Sequence, residues 1–225
     1  MSRLNARRAQ KRAYHHGDLK NALIAAGVDL LSKEGVAGLS LRKVAQHAGV
    51  SHAAPYAHFT DKQALIAAIS TEGYRHLYAA ISAAAERCEG DPARQLVEGA
   101  WAYLEFALQD TDHFRVAMSG IVEKEDDYPA FVEMSQKSFS LLLRIVGLCQ
   151  ERGILRPGPT ELVAVSLWSL VHGLVSLLLE KQIPGSLRDR YEPREMLLAA
   201  LRQVATAELS PPTGARGACS SSASR

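Results

Sequence analysis

The stretch that most constrains this chain is residues 39–62, LSLRKVAQHAGVSHAAPYAHFTDK. Ser40 stands where a helix N-cap belongs, because its hydroxyl can accept a hydrogen bond from a free N–H of the first turn. Leu41, Val44, Ala45 and Ala48 then recur at i, i+3, i+4 and i+7, which is one face of a short helix. Gly49 supplies the left-handed residue that ends a helix. Val50 fills the turn, and Ser51 is placed to cap the segment that follows. That segment carries His52, Ala53, Ala54, Tyr56, Ala57 and His58. Two short helices at this spacing, the second with small and hydrogen-bonding side chains, predict a helix-turn-helix whose second helix enters a DNA major groove.

The rest of the chain fits an all-α protein. Alternating runs of strand formers are scarce, and Ala, Leu, Glu, Gln and Arg dominate. With 225 residues, 47% of them apolar, the chain has room for a sizeable core in one or two domains. Cys88, Cys149 and Cys219 are too far apart for a zinc site or a disulfide framework, which fits a reducing cytoplasm. The N-terminal residues lack the apolar core of a signal peptide. The most apolar run, Leu162–Leu179, is interrupted by Ser, His and Gly, so no membrane span is expected.

Charge is unevenly distributed. Residues 1–62 hold 10 Lys/Arg against 4 Asp/Glu, whereas residues 63–225 hold 16 against 20. A basic quarter on a mildly acidic body is the pattern of a phosphate-binding head on a neutral scaffold. A solubilising charge run is the plainer alternative. Residues 1–16 read as a flexible basic arm with Arg3, Arg7, Arg8, Lys11 and Arg12, able to settle on DNA or to serve only as a tail.

A first helix is predicted from Asp18 to about Lys33, with Leu19, Leu23, Ala26, Leu30 and Leu31 as its buried stripe and Gly35 as its stop. With the pair at 40–59 it makes a three-helix head, residues 17–62. Asp61 then caps a lever helix from Lys62 to about Arg87, with Gly73 as a soft spot in it. Further helices are predicted at 92–109, after Thr111, at 129–152, 160–182 and 193–208, about nine in all. They form a helical body, residues 63–208. The helix at 160–182 is apolar on nearly all sides, so it belongs in a core or against a partner subunit. From Leu209 to Arg225 the chain reads as a disordered tail.

Residues 18–65 resemble the DNA-binding head of TetR/AcrR-type transcriptional regulators. The shared pattern is Ser40, Val44-Ala45, Ala48-Gly49-Val50-Ser51, Tyr56-Ala57-His58-Phe59 and Lys62-Gln63-Ala64-Leu65, in order and spacing. Pro55 departs from it, standing where the family usually has Leu; a shifted first turn of the second helix is expected there. Trp168-Ser-Leu-Val-His172-Gly173 resembles the Trp…His-Gly (WHG-type) signature of one group of C-terminal domains in that family. The resemblance implies an all-α homodimer joined by its last two long helices, at about 160–182 and 193–208. It also implies a cavity in each body for a small-molecule effector that repositions the heads.

Ser40, Arg42 and Lys43 are candidates to meet backbone phosphate at the start of the first helix of the pair. Ser51, His52, Ala53 and Ala54 begin the reading helix, where His52 can bond a purine edge and Ala53 or Ala54 can touch a thymine methyl. Tyr56 is expected on the exposed face with its hydroxyl at a phosphate. His58 and Lys62 resemble phosphate-contacting positions. In the body, Trp101, Tyr103, Phe106, Phe114, Met118, Phe131, Trp168 and His172 are candidate ligand-lining residues; core packing is the competing role for each.

His172 lacks a second ligand at i±3 or i±4, so no metal is expected. Nor is any cofactor, and no Ser/His/Asp, paired-carboxylate or phosphate-loop spacing supports an enzyme. The expected function is a cytoplasmic regulator that binds double-stranded DNA and is released from a palindromic operator by a small hydrophobic effector. The alternative is a helix-turn-helix regulator without such an effector, controlled by a protein partner.

Overall fold

Helical periodicity decides the class: among the described residues the chain forms nine α-helices and two short 3-10 turns. The structure is a computed structural model that describes residues 2–210, with side chains from Leu19 onward. The helices are α1 (Ser2–Gly38), α2 (Leu41–His47), α3 (Lys62–Glu86), α4 (Pro92–Gln109), α5 (Thr111–Met118), α6 (Pro129–Glu151), α7 (Thr160–Leu179), α8 (Gly185–Arg188) and α9 (Pro193–Val204). The 3-10 turns are Ala54–Ala57 and Glu125–Asp127. The side chains of the expected arm, Arg3 to Arg12, lie outside the described residues, as does the tail from residue 211. The backbone of α1 is helical from Ser2, where a helix beginning at Asp18 was expected.

Two compact units make up the chain. The first holds the described residues up to Gly73 together with Asp112–Val132. The second holds Tyr74–Thr111 and the described residues from Glu133 on. The unit that carries the helix-turn-helix is thus larger than 17–62. The reason is the opening of α3, where Leu65, Ile66 and Ile69 are fully buried. Gly27 on α1 admits them: a Cβ there would lie 2.7 Å from Ile69 Cδ1. Burying each such side chain contributes about 1.5–3 kcal/mol, enough to hold the first turns of α3 to the head. Helix α5 joins the same unit through Ser32 Oγ, which donates to Asp112 Oδ1 at 2.6 Å. Gly73 is the point of closest approach, since a Cβ there would stand 2.8 Å from Ala117 Cβ and 2.9 Å from the His113 carbonyl.

In the second unit α4, α7 and α9 pack on one another. Leu96, Val97 and Leu104 of α4, Ala164, Leu167, Val171 and Val175 of α7, and Leu197, Leu198 and Leu201 of α9 are all buried. Helix α4 begins on Asp91, whose carboxylate accepts from the Arg94 N–H at 3.0 Å, with Pro92 in the first turn. The end of α9 is tied to the end of α6: Thr206 N–H donates to the Ile154 carbonyl at 2.8 Å and its hydroxyl to the Gly153 carbonyl at 2.7 Å. Leu209, expected to open a disordered tail, is buried instead, and its carbonyl accepts from Arg202 Nη2 at 2.8 Å. A single large apolar side chain within reach of the core outweighs the polar composition around it.

Candidate functional site

The turn between α2 and the segment after it is built as the sequence requires. The Ser40 hydroxyl accepts from the Lys43 N–H at 3.2 Å. At the other end Gly49 sits at φ 69°, and the Val50 N–H reaches back to the Ala45 carbonyl at 2.9 Å. That bond closes the helix end, and the positive φ is why glycine stands there. Val44 and Ala45 are buried beneath.

The second segment differs from expectation. It is a 3-10 turn, Ala54–Ala57, and not a full α-helix. Pro55 is the cause: it lacks an N–H and is itself buried in the head. The bonds that remain are short-range, from Ala54 N–H to the Ser51 carbonyl at 3.0 Å and from Tyr56 N–H to the Ala53 carbonyl at 3.2 Å. Ser51 thus holds the turn through its backbone carbonyl. The Pro55 carbonyl accepts from both His58 and Phe59, each at 2.9 Å, which locks the turn onto the buried Phe59 ring. Ser51, His52, Ala53 and Tyr56 are left exposed, Tyr56 at 63%.

Polar side-chain contacts brace α1 against α2. Lys43 Nζ lies 2.6 Å from Glu34 Oε2, and His47 Nε2 lies 2.8 Å from Asp29 Oδ2. Asp29 also takes Lys33 at 2.7 Å. That Lys33 hydrogen bond, helped by His47, holds the Asp29 carboxyl below its usual range.

In the second unit a polar chain crosses from α7 to α4. Trp168 Nε1 donates to Tyr103 Oη at 3.2 Å, and Tyr103 Oη lies 2.8 Å from His172 Nδ1. The Phe139 ring stands beside Trp168 with centroids 6.4 Å apart, and His172 meets Trp168 edge-on at 6.2 Å. Burial pushes the Tyr103 hydroxyl well above its ordinary range and lowers His172 below 6.5. Both groups are therefore neutral near pH 7. The outer face of α7 is apolar and open: Leu162 is 64% exposed, Val165 44% and Leu177 43%.

Two family models match this chain. The one described as bacterial regulatory proteins, tetR family, matches residues 23–69. The one described as tetracyclin repressor-like, C-terminal domain, matches residues 96–201. The chain belongs to the TetR family of transcriptional regulators. A protein of unknown function from Rhodococcus sp. RHA1 is 32% identical, with a TM-score of 0.69 over 85% of this chain and 98% of that one. PfmR, a TetR family transcriptional regulator from Thermus thermophilus, is 22% identical, with a TM-score of 0.59 over 68% of this chain and 84% of its own. At that identity the likeness is one of fold. The tetracycline repressor protein class A from transposon 1721 of Escherichia coli is 46% identical over 50 residues, 22% of this chain. This stretch covers 23% of that repressor's length.

This TetR-family chain is a DNA-binding regulator of a repressor family, not an enzyme. Its candidate DNA residues fall into two sets. Arg42, Ser51, His52, Ala53 and Tyr56 lie on the open surface of the head. The others are engaged within it. Lys62 Nζ donates to the Val36 carbonyl at 3.3 Å, near the C-terminus of α1. His58 turns inward with Nε2 buried, Lys43 pairs with Glu34, and Ala54 is partly covered by the turn. Spacing alone cannot separate these sets, because a cation beside DNA and a cation beside a helix C-terminus occupy the same register.

The candidate ligand residues also divide. Phe114, Met118 and Phe131 belong to the unit that carries the head, and Trp101, Tyr103, Phe106, Trp168 and His172 to the other. Within the latter, only Tyr103, Trp168 and His172 join one hydrogen-bonded cluster. Trp101 lies under the Arg194 guanidinium, 4.3 Å from ring centroid to Cζ. Arg194 was not anticipated; no local pattern marks a cation that lands on a ring about ninety residues away.

Proposed function

We propose that this TetR-family regulator is a homodimeric repressor, held on a palindromic operator by its two heads and released when a small hydrophobic effector binds in the body. In this reading residues 17–62 are the DNA-binding domain and 63–208 the effector-binding and dimerisation domain, with the heads spaced for half-sites about 34–36 Å apart. Ser40, Arg42, Lys43, Ser51, His52, Ala53, Ala54, Tyr56, His58 and Lys62 form the DNA interface. Of these, Tyr56, Arg42 and the 51–53 stretch touch DNA, while Lys62 and His58 hold the reading turn in place. The protein works in the cytoplasm, where its operator is.

The observation that carries the reading is the outer face of α7. This helix is long and apolar enough to cross a membrane by length and composition, yet only 22% of its apolar stretch is buried. An apolar helix left open on a regulator with a DNA-binding head is best accounted for by a second copy of the same helix. Ser169, Gly173 and Ser176 run down the same face and allow close backbone approach.

The test is sedimentation and operator binding on the full chain. A dimer in solution that protects a two-fold symmetric site, and that leaves it on addition of an apolar compound, is the expected result. A monomer bound to a single asymmetric site would sink the dimer, and a dimer indifferent to every apolar compound tried would leave control by a protein partner.

A further inference from the structure

The open face of α7 is ordered symmetrically along the helix. Val171 is buried, so the open face lies across the helix from it. Going outward from that level, the face shows Ser169 on one side and Gly173 on the other, then Ser166 and Ser176. The next pair is Val165 and Leu177, 44% and 43% exposed. Glu161, in the first turn of α7, and Lys181, just past its end, are both exposed and equally far from Val171. Ser166 and Ser169 donate their hydroxyl hydrogens to the Leu162 and Val165 carbonyls of their own helix, both at 2.8 Å. Covering those hydroxyls therefore strands no donor. Glycine inside a helix weakens it, yet a Cβ at Gly173 would meet nothing of this chain within 4 Å. Nothing inside the chain calls for a glycine there.

A helix with this symmetry fits a copy of itself run antiparallel, because a two-fold axis places each residue opposite its counterpart across the centre. With the axis level with Val171, Ser169 meets Gly173 of the partner subunit and Val165 meets the partner's Leu177. The small pair at the centre lets the two backbones come close. About 15 Å from the axis, Glu161 falls opposite the partner's Lys181, and the symmetry makes that pair twice. Leu162 meets the partner's Glu180 at the rim, where a carboxylate keeps its water. Other alignments lose this charge match. A parallel copy sets Glu161 against the partner's Glu161. A slide of one helical turn sets Lys181 against the partner's Val165, or Glu161 against the partner's Leu177. We infer that the second copy docks antiparallel on α7 with Ser169 and Gly173 flanking the two-fold axis, and that the two Glu161–Lys181 pairs fix this register. The inference rests on the dimer reading above and gives that dimer its direction and alignment.

Sedimentation of the full-length protein over a dilution series tests it with two charge reversals. Glu161→Lys sets lysine against lysine at both ends, and Lys181→Glu sets glutamate against glutamate. Each variant alone dimerises about 5- to 30-fold more weakly than the wild type, the effect of two exposed pairs turned from attraction to repulsion. An equimolar mixture of the two recovers the wild-type association, because each chain supplies the charge the other has lost. Variants that dimerise like the wild type, or a mixture no tighter than its components, overturn the register and leave the dimer standing. A wild type that stays monomeric overturns both readings. Gly173→Gln checks the crossing point separately: the added side chain starts in open space within its own chain, so helical circular dichroism is kept while the copies separate. A full-strength dimer of that variant overturns the placement of the axis beside Gly173.

Discussion

Lys62 is a residue whose chemistry alone points two ways. Its ammonium donates to the Val36 carbonyl at 3.3 Å, just past the break at Gly35, where the same carbonyl also accepts from the Leu39 N–H at 3.3 Å. Lys62→Ala therefore loosens the head before it touches DNA. The expected loss is about 0.5–1.5 kcal/mol of stability, read from chemical unfolding, with operator binding weakened in step. Weakened binding at unchanged stability would instead place Lys62 on a phosphate. His172 gives a second residue-scale prediction. Its folded-state pKa lies below the ordinary 6.5 because burial disfavours the charged ring. Below pH 6.5 the unfolded chain therefore takes up a proton that the folded chain refuses. Stability from this residue is full above 6.5 and falls as pH is lowered through the window down to the folded pKa. Thermal unfolding of wild type and His172→Gln between about pH 7.5 and 5 measures it, and the variant's curve should be flatter across that window.

At the scale of elements, Gly73 sets two principles against each other. It lies inside α3, where replacing glycine by alanine normally adds about 1 kcal/mol of helix stability. The added Cβ would stand 2.8 Å from Ala117 Cβ and 2.9 Å from the His113 carbonyl. Neither neighbour can swing aside, and overpacking of this kind costs about 1–3 kcal/mol. The clash wins: Gly73→Ala lowers the denaturant midpoint, and a raised midpoint would show that α5 does not sit as described. The same element shows what the sequence could convey. The position of α3 was legible from Leu65, Ile66 and Ile69 at helical spacing, and so was the turn at Gly49. The role of Gly73 was not, because a gap for another helix leaves no periodic trace. Pro55 was visible as an irregularity, but one proline can shift a turn or convert the whole segment to 3-10 geometry. The choice depended on how deeply its ring is buried. Likewise Tyr103 and His172 lie 69 positions apart, and only packing of α4 on α7 makes them partners.

For the whole molecule the proposed dimer has the largest consequence, because linking two heads multiplies their affinities. Once one head is on its half-site, the second acts at a millimolar effective concentration, which strengthens binding by about 10²–10⁴-fold over a single head. Separating the copies should remove that factor without unfolding either head. Val165→Glu on the open face of α7 is suited to this. Val165 is 44% exposed, so an isolated chain tolerates the carboxylate in water, whereas an interface would have to bury it unpaired. The expected variant sediments as a monomer and keeps the helical circular dichroism of the wild type. It requires about 10²–10⁴ times more protein to shift a full operator, and binds an isolated half-site as the wild type's single head does. A variant that remains dimeric with full operator affinity would place the interface elsewhere. The apolar face of α7 would then be the surface that a different protein partner covers.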